Sequence, residues 1–239
     1  MERQKVYEGK AKILFTAEDP SQLIQYFKDE VTAFDAKKRG VIEAKGVLNN
    51  AISSLLFQHL ESEGVRTHFI QKLGPREMLV RRLEMVRLEV VVRNLVAGSL
   101  SKRVGLDEGV ALPRPITEWY YKRDDLGDPL LNDDHILTLG LSDEGTLKEV
   151  RGVAARANEV LRGFLEARGL ILVDLKFEFG RRMGLDPGGG ALLLADEITP
   201  DTCRLWDRRT REKLDKDRFR RDLGGVEEAY QEVLRRLES

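Results

Sequence analysis

The chain has little cysteine, little histidine and no long apolar segment. Its single cysteine, Cys203, excludes an internal disulfide framework and fits a reducing cytosol. The three histidines, His59, His68 and His135, are scattered and lack the spacing of a zinc site. No apolar segment follows residues 1–6, so we expect no signal peptide. Because no apolar run approaches the length of a membrane span, the sequence predicts a cytoplasmic protein without membrane contact.

A surplus of one sign of charge is also lacking. Charged residues make up 34% of the chain, but 40 Lys and Arg nearly balance 41 Asp and Glu, which leaves a net charge of −1. This balance argues against a general binder of nucleic acid or of membrane surfaces. The apolar fraction of 41% is sufficient for a globular core, and 239 residues suit one large domain or two smaller lobes.

Hydrophobic periodicity predicts strands early in the chain and long helices later. We expect a hairpin at 5–16 and strands near 31–34, 67–70, 77–83 and 88–93. Helices are predicted at 47–63, 98–104, 144–168 and 226–237. Residues 21–28 after Pro20 are predicted to form a short helix, and Pro113 and Pro115 to mark a loop. Because strands and helices do not alternate regularly, the pattern indicates an α+β fold with two lobes.

The most informative segment is 170–179, which reads Leu-Ile-Leu-Val-Asp-Leu-Lys-Phe-Glu-Phe and is typical of a buried strand. Side chains alternate across a strand, so Asp174, Lys176 and Glu178 are expected to share one face. The opposite, apolar face is expected to carry Val173, Leu175, Phe177 and Phe179. Charges in such an apolar setting are costly unless something pairs with them.

A second apolar run, residues 191–195, follows the glycine-rich turn 187–190 and ends in Asp196 and Glu197. Two strands that deliver carboxylates and a lysine to one place suggest a site for Mg²⁺ and phosphate. An internal network of ion pairs fits the same pattern, and the pattern alone leaves both interpretations open.

Three other segments carry residues that suit phosphate or substrate binding. Lys10 and Lys12 follow Gly9 in the first hairpin, where glycine permits close backbone approach to a polyphosphate, although an exposed hairpin is the simpler interpretation. Arg93 and Ser99 flank the start of a predicted helix, where they suit an anion; Ser99 as an ordinary N-cap is the alternative. Arg204 lies in an acid-rich loop that suits metal and substrate contacts or, alternatively, turns and surface ion pairs.

Taken together, these segments resemble the SAICAR synthetase (phosphoribosylaminoimidazole-succinocarboxamide synthase) family of purine biosynthesis. The similarity extends over nearly the whole chain, in the order of the family. It is carried by residues 7–12, 45–50, 91–94, 97–100, 169–180, 196–197, 200–201, 204–207 and 215–220. Each segment is weak evidence alone, but the set is specific.

The resemblance implies a two-lobed fold with an ATP site between a β-rich lobe, residues 1–83, and a mixed lobe, residues 84–239. It implies a ligase that uses ATP and Mg²⁺ to join L-aspartate to the carboxylate of carboxyaminoimidazole ribonucleotide (CAIR), giving SAICAR, ADP and phosphate. A homodimer is implied as well. From the residues alone, a small-molecule kinase and a non-catalytic nucleotide-binding module stay open as alternatives, because both use similar nucleotide-binding parts.

The resemblance also implies residue roles. Lys10 and Lys12 match the loop over the triphosphate, and the segment from Val80 to Met85 matches the connection that holds adenine. Glu178 and Asp196 match the acids for Mg²⁺ and nucleotide. The predicted catalytic residues are Lys176, Asp196 and Lys12. Arg93, Ser99 and Arg204 match the residues that hold the ribonucleotide phosphate, and Asp174 is expected to orient Lys176.

Overall fold

The computed structural model describes residues 3–33, 37–182 and 190–239. Its mixture of helices and antiparallel sheets confirms the predicted α+β class. The last residue of the strand predicted at 31–34, and most of the predicted turn at 187–190, lie outside the described residues.

The described ranges contain thirteen strands and six α-helices. The strands are β1 (Lys5–Glu8), β2 (Lys12–Thr16), β3 (Gln22–Phe27), β4 (Glu30–Ala33), β5 (Lys38–Val41), β6 (Phe69–Lys72), β7 (Glu77–Arg81), β8 (Leu83–Leu95), β9 (Ala111–Tyr121), β10 (Leu130–Leu131), β11 (Leu170–Arg182), β12 (Leu192–Ala195) and β13 (Cys203–Asp207). The helices are α1 (Lys45–Ser62), α2 (Ser99–Val104), α3 (Asp133–Thr138), α4 (Glu144–Glu166), α5 (Asp217–Arg220) and α6 (Val226–Leu237).

The strands form two large antiparallel sheets and one small one. The first sheet has the order β1-β2-β3-β7-β6. The second has the order β10-β9-β8-β11-β12, and β13 also pairs with β11. Strands β4 and β5 form a separate hairpin. The predicted lobe boundary at residues 83 and 84 falls at the start of β8, which belongs wholly to the second sheet.

Three sequence predictions of local structure were wrong. Arg204, which was predicted to lie in an acid-rich loop, is in strand β13, which pairs with β11. Most of the helix predicted at 21–28 is instead the strand β3, Gln22–Phe27, which pairs with β2 on one side and β7 on the other and is largely buried. Pro113 and Pro115 lie within β9 rather than in a loop. They are tolerated there because the pairing of β9 with β8 is irregular near Leu95, and β10 covers only the far end of β9.

Strand β11 is central to the second sheet and confirms the predicted charged face. Opposite β8, Asp174 pairs with Arg93, Lys176 with Val91 and Glu178 with Glu89. On the other face, Leu175, Phe177 and Phe179 belong to the main core, as predicted.

Val173, which was predicted to share that apolar face, instead packs with Ala97 and Trp206 in a small second cluster. The reason is a shift in the register between β11 and β13 that falls between Leu172 and Asp174. Such a bulge changes which face the residues beyond it take.

Helices cover the sheets and close the core. Helix α4 packs on β11 and β8, and its N-cap Asp143 accepts a hydrogen bond of 2.9 Å from the backbone N–H of Thr146. Helix α1 packs against α6 and the first sheet. Across the described residues, no helix combines the length and apolarity needed to cross a bilayer.

Candidate active site

A cavity of about 1280 Å³ lies where residues of the first sheet face β8, β11 and β12. Seven of the ten residues predicted from the sequence as site residues line it: Lys10, Lys12, Val80, Met85, Lys176, Glu178 and Asp196. They come from four strands and from the loops that follow β1 and β12, so the fold brings together residues up to 186 positions apart.

Lys176 is the centre of a network of acids in this cavity. Its Nζ donates to Oε1 of Glu178 at 2.8 Å and to Oε1 of Glu89 at 3.1 Å, and it lies 3.2 Å from Oδ2 of Asp196. Burial opposes the charge of Lys176, but the attraction of Glu178, Glu89 and Glu197 outweighs it and raises the pKa of the ammonium above its ordinary value. Lys176 therefore stays charged in the physiological range.

Glu178 is buried but doubly paired. Besides Lys176, its carboxylate accepts a hydrogen bond from Lys122 of the segment after β9. Burial opposes ionisation of Glu178, and the charges of Lys176, Lys122 and Lys12 outweigh that cost and lower its pKa. Glu178 is consequently an anion at neutral pH, as a cation ligand must be.

Lys12 reaches the loop after β12 from the opposite sheet. Its ammonium is ion-paired with Asp196 and lies 2.7 Å from Oε2 of Glu197. Asp196 has a backbone φ of 71°, in the left-handed region that non-glycine residues rarely adopt. Such backbone strain is concentrated at functional sites. Lys10 lies at the rim, where its Nζ is 2.8 Å from Oδ1 of Asp124.

The carboxylates of Glu178 and Asp196 fit the predicted Mg²⁺ site. Both face the same ammonium, that of Lys176, from neighbouring strands, so two hard oxygen ligands converge on one cation position. No group of three or more His, Cys, Asp or Glu side chains in the described ranges is arranged to hold a metal by itself. Mg²⁺ does not require one, because it commonly binds one or two carboxylates, substrate phosphates and waters.

Arg93, Ser99 and Arg204 form a second group beside this cavity. Arg93 is buried, and its guanidinium donates to Oε2 of Glu118 at 2.7 Å, to Oδ2 of Asp174 at 3.2 Å and to Oγ of Ser99 at 3.1 Å. Gly98 rather than Ser99 occupies the N-cap of α2, so the interpretation of Ser99 as an ordinary N-cap was wrong.

Asp174 holds this second group together. Its Oδ2 accepts hydrogen bonds from both Arg93 and Arg204, the latter at 2.8 Å, so Asp174 orients two arginines rather than Lys176 as expected. The Arg204 guanidinium lies against Gly98, where a Cβ would come within 2.4 Å of Nη2. Gly98 also has a φ of 55°, so both the close approach and the backbone favour glycine.

Sequence reasoning missed Lys122 and Glu118, which hold Glu178 and Arg93. Because side chains alternate along a strand, Glu118 and Tyr120 share a face of β9, and Lys122 continues their spacing. Glu118 and Tyr120 both accept hydrogen bonds from the Arg93 guanidinium, and the bond from Nη2 to Tyr120 Oη is 3.0 Å long. This alternating signal was hidden because the prolines of β9 were interpreted as a loop.

A third buried network fixes the loop after β12. Asp201 accepts hydrogen bonds from Nζ of Lys45 at 2.7 Å, from Nδ2 of Asn49 at 2.9 Å and from Oη of Tyr230 at 2.7 Å. Burial opposes its ionisation, and the charge of Lys45 is the first of the effects that lower its pKa. Asp201 thus ties α1 and α6 to the loop that carries Asp196.

Comparison with known sequences identifies this arrangement. The sequence model of the family described as SAICAR synthetase matches residues 5–237. The chain belongs to the SAICAR synthetase family. Phosphoribosylaminoimidazole-succinocarboxamide synthase of Coprothermobacter proteolyticus is 53% identical over 232 residues, which cover 97% of this chain and 96% of the relative. The enzyme of the same name from Novosphingobium aromaticivorans is 54% identical over 235 residues, covering 98% and 89%.

Solved structures agree with the sequence comparison. The phosphoribosylaminoimidazole-succinocarboxamide synthase of Ehrlichia chaffeensis superimposes with a TM-score of 0.95 at 46% identity, over 98% of both chains. A SAICAR synthetase solved in complex with ADP superimposes with a TM-score of 0.91 at 47% identity, over 99% of this chain and 97% of the other. The predicted family and its two-lobed fold are therefore confirmed.

Proposed function

We propose that this protein is the ATP-dependent C–N ligase that joins L-aspartate to the carboxylate of CAIR and releases SAICAR, ADP and phosphate. The observation that carries the proposal is the convergence of Lys12, Lys176, Glu178 and Asp196 on one cavity in a member of this family. The name of its relatives and the ADP complex of a structural neighbour support the same reaction.

In the proposal, the nucleotide lies between the two large sheets. Val80 and Met85 line the cavity on the side where the chain passes from β7 to β8, and they contact the adenine. Lys10 and Lys12 contact the phosphates from the β1–β2 hairpin, where Gly9 and Ala11 add little side-chain bulk. The lysines offset the negative charge that accumulates on the transferred phosphoryl group.

Glu178 and Asp196 hold Mg²⁺, which when bound neutralises phosphate charge and orients the nucleotide. Lys176 lies between these two carboxylates, so it is placed to contact the same phosphate oxygens and to keep both acids ionised. The protein forms no covalent bond in this scheme, and its residues act by position and charge.

The chemistry takes two steps because a carboxylate is a poor acyl donor. First, an oxygen of the CAIR carboxylate attacks the γ-phosphorus of ATP, the bond to the bridging oxygen breaks, and ADP leaves with an acyl phosphate formed. Second, the neutral amine of L-aspartate attacks the acyl carbon, phosphate leaves, and the nitrogen loses a proton to give the amide. Arg93, Ser99 and Arg204 hold the ribonucleotide phosphate, with Asp174 as their shared anchor.

The proposal also includes a cytoplasmic location and a homodimer. The single cysteine, Cys203, is buried, and burial raises the pKa of its thiol to about 12, so it suits a reducing compartment as an unreactive core residue. Light scattering on the purified protein measures the assembly, and a monomeric mass at micromolar concentration would contradict the dimer.

The test of the reaction follows ADP release while CAIR or L-aspartate is omitted in turn. The proposal expects sustained ADP release only with both present, and SAICAR in equal amount. Sustained ADP release without L-aspartate would favour a small-molecule kinase. ATP binding without ADP release under any condition would leave only a nucleotide-binding module and overturn the proposed activity.

A further inference from the structure

Lys216 differs from the other lysines that line the large cavity. Each of the other five is within 3.0 Å of a carboxylate oxygen of a described residue: Lys10, Lys12, Lys28, Lys122 and Lys176. For the ammonium of Lys216, no hydrogen bond or ion pair exists within the ranges that the structure describes, although the residue lines the same cavity. Lys216 borders the space available to substrates.

The surroundings of Lys216 explain why its charge is not neutralised. Asp201 is the acid whose charge acts on it most strongly, but that carboxylate already accepts hydrogen bonds from Lys45, Asn49 and Tyr230. Burial lowers the pKa of Lys216, and the neighbouring charges of Arg220 and Lys45 lower it further. A half-buried cation without a partner among the described residues is unfavourable for folding, which favours a role in binding.

Arg220 adds a second cation at the same end of the cavity. Its Nη1 lies 2.6 Å from Oδ1 of Asp217, but the other oxygen of Asp217 lies 3.0 Å from Nε of Arg204 and 3.5 Å from Nη2 of Arg221. One carboxylate therefore serves three guanidinium groups. Arg220 and Lys216 thus place two cations where the cavity is also lined by Thr202.

This end of the cavity is next to the nucleotide site. Glu197 lies between them, because its carboxylate accepts a hydrogen bond of 2.7 Å from Lys12 and its charge also acts on Lys216. A small acid held at Lys216 would thus be adjacent to the phosphates contacted by Lys12. The phosphate of CAIR does not need Lys216, because Arg93, Ser99 and Arg204 are its proposed partners.

We infer that Lys216, with Arg220 beside it, binds a carboxylate of the amino dicarboxylate substrate, L-aspartate. The inference rests on the proposed function, and it names the subsite that gives this substrate its place next to the activated carboxylate. A carboxylate satisfies the unpaired ammonium by a charge-assisted hydrogen bond and leaves the substrate amine to act as the nucleophile.

The test compares Lys216→Met with the wild type by steady-state kinetics in each substrate. The variant keeps the length and apolar stem of the lysine and removes only the charge. We expect KM for L-aspartate to rise about 10- to 100-fold, as loss of one charge-assisted hydrogen bond predicts. KM for ATP and for CAIR should stay within about twofold. Lys213→Met is the matched control, because Lys213 lies in the same segment but pairs with Glu108 outside the cavity.

Two further measurements separate a binding role from a structural one. Because the charge is unpaired, Lys216→Met should melt at the same temperature as the wild type or higher, and Lys216→Arg should recover part of the affinity for L-aspartate. The wild type should also use L-aspartate better than L-asparagine or L-aspartate α-amide, and Lys216→Met should lose discrimination against one of the two.

The possible failures are distinguishable. If the wild type releases no ADP with all three substrates, the proposed function itself fails. If the wild type is active, the inference is overturned by an unchanged KM for L-aspartate in Lys216→Met, or by a rise confined to CAIR. Unchanged discrimination against both amides overturns it as well, even in a variant that is less stable than expected.

Discussion

Nζ of Lys176 and Oδ2 of Asp196 lie 3.2 Å apart, although the lysine is in the middle of β11 and the acid follows the end of β12. The pairing of β11 with β12 brings Glu178 opposite Ala195, so Asp196 comes next to the charged face of β11. This contact connects the two acid-bearing segments, residues 170–179 and 191–197, which are separate in the sequence.

The first prediction concerns these two residues. Lys176→Ala and Asp196→Asn should each lower kcat about 10²- to 10³-fold while the protein still folds, because in the proposed mechanism each removes one charge at the transferred phosphoryl group. Asparagine tolerates the left-handed backbone of position 196, so the second change is confined to the charge. Asp222→Asn is the control, since Asp222 also has a positive φ but an exposed side chain. Near-normal turnover in both site variants would refute the assignment.

A second prediction separates the two substrates. Arg204→Lys keeps a positive charge but cannot make both of the contacts of Arg204, to Asp174 and Asp217. We expect KM for CAIR to rise about tenfold and KM for ATP to change less than twofold. Initial rates with one substrate varied at a time provide the measurement. Arg208→Lys, at an exposed arginine, should change neither value, and an equal rise in both for Arg204→Lys would count against the phosphate role.

The third prediction concerns stability and pH. Burial, and then the charge of Asp217, raise the pKa of Asp215 to about 7 from an ordinary value of 3.8. A raised pKa in the folded state stabilises the protein fully below about pH 3.8, and this contribution is lost as the pH rises through about 7. Buried His68 acts in the opposite direction, because burial lowers its pKa to about 3.

The effect of Asp215 is therefore measured as a difference between two proteins that both contain His68. The free energy of unfolding of the wild type minus that of Asp215→Asn should decrease from pH 4 to pH 7. Urea unfolding at several pH values provides the data, and Asp222→Asn should show no such trend. A difference that is constant with pH would mean that Asp215 ionises in the folded protein much as it does in water.

A fourth prediction concerns the buried hydrogen-bond network around Asp201, which fixes the loop after β12. Tyr230→Phe removes one of the three hydrogen bonds to the buried carboxylate of Asp201. We expect a loss of about 1–2 kcal/mol in the free energy of unfolding. Urea titration of the variant gives the value. Tyr7→Phe, at an exposed tyrosine, is the control, and a Tyr230→Phe variant as stable as the wild type would show that Lys45 and Asn49 suffice.

Local periodicity explains which parts of the site could be predicted from the sequence. The shared face of Asp174, Lys176 and Glu178 follows from alternation along one strand, and the structure has it. The partners of these residues could not be predicted in that way. Lys122 and Arg204 meet the charged face through strand pairing over long separations, which no local pattern encodes.

The wrong predictions have the same origin. Residues 21–28 look helical when Pro20 is considered alone, but two neighbouring strands make them the centre of a sheet. In β9 the prolines lie near the end where the pairing with β8 is irregular, so they interrupt few hydrogen bonds between the strands. Residue roles that come from the family resemblance, such as those of Lys10 and Met85, stay predictions for the experiments above.

Strand β8 has a consequence for which length changes the protein can accept. Glu89 and Arg93 lie on one face of this strand, opposite Glu178 and Asp174, whereas Val90 and Val92 enter the core. Because a strand rises about 3.3 Å per residue, the four-residue separation fixes Arg93 about 13 Å from Glu89 along β8. Inserting one residue between them would exchange the two faces and place a guanidinium in the core. Insertions and deletions should therefore be absent from this stretch, whatever the lengths of the surface loops.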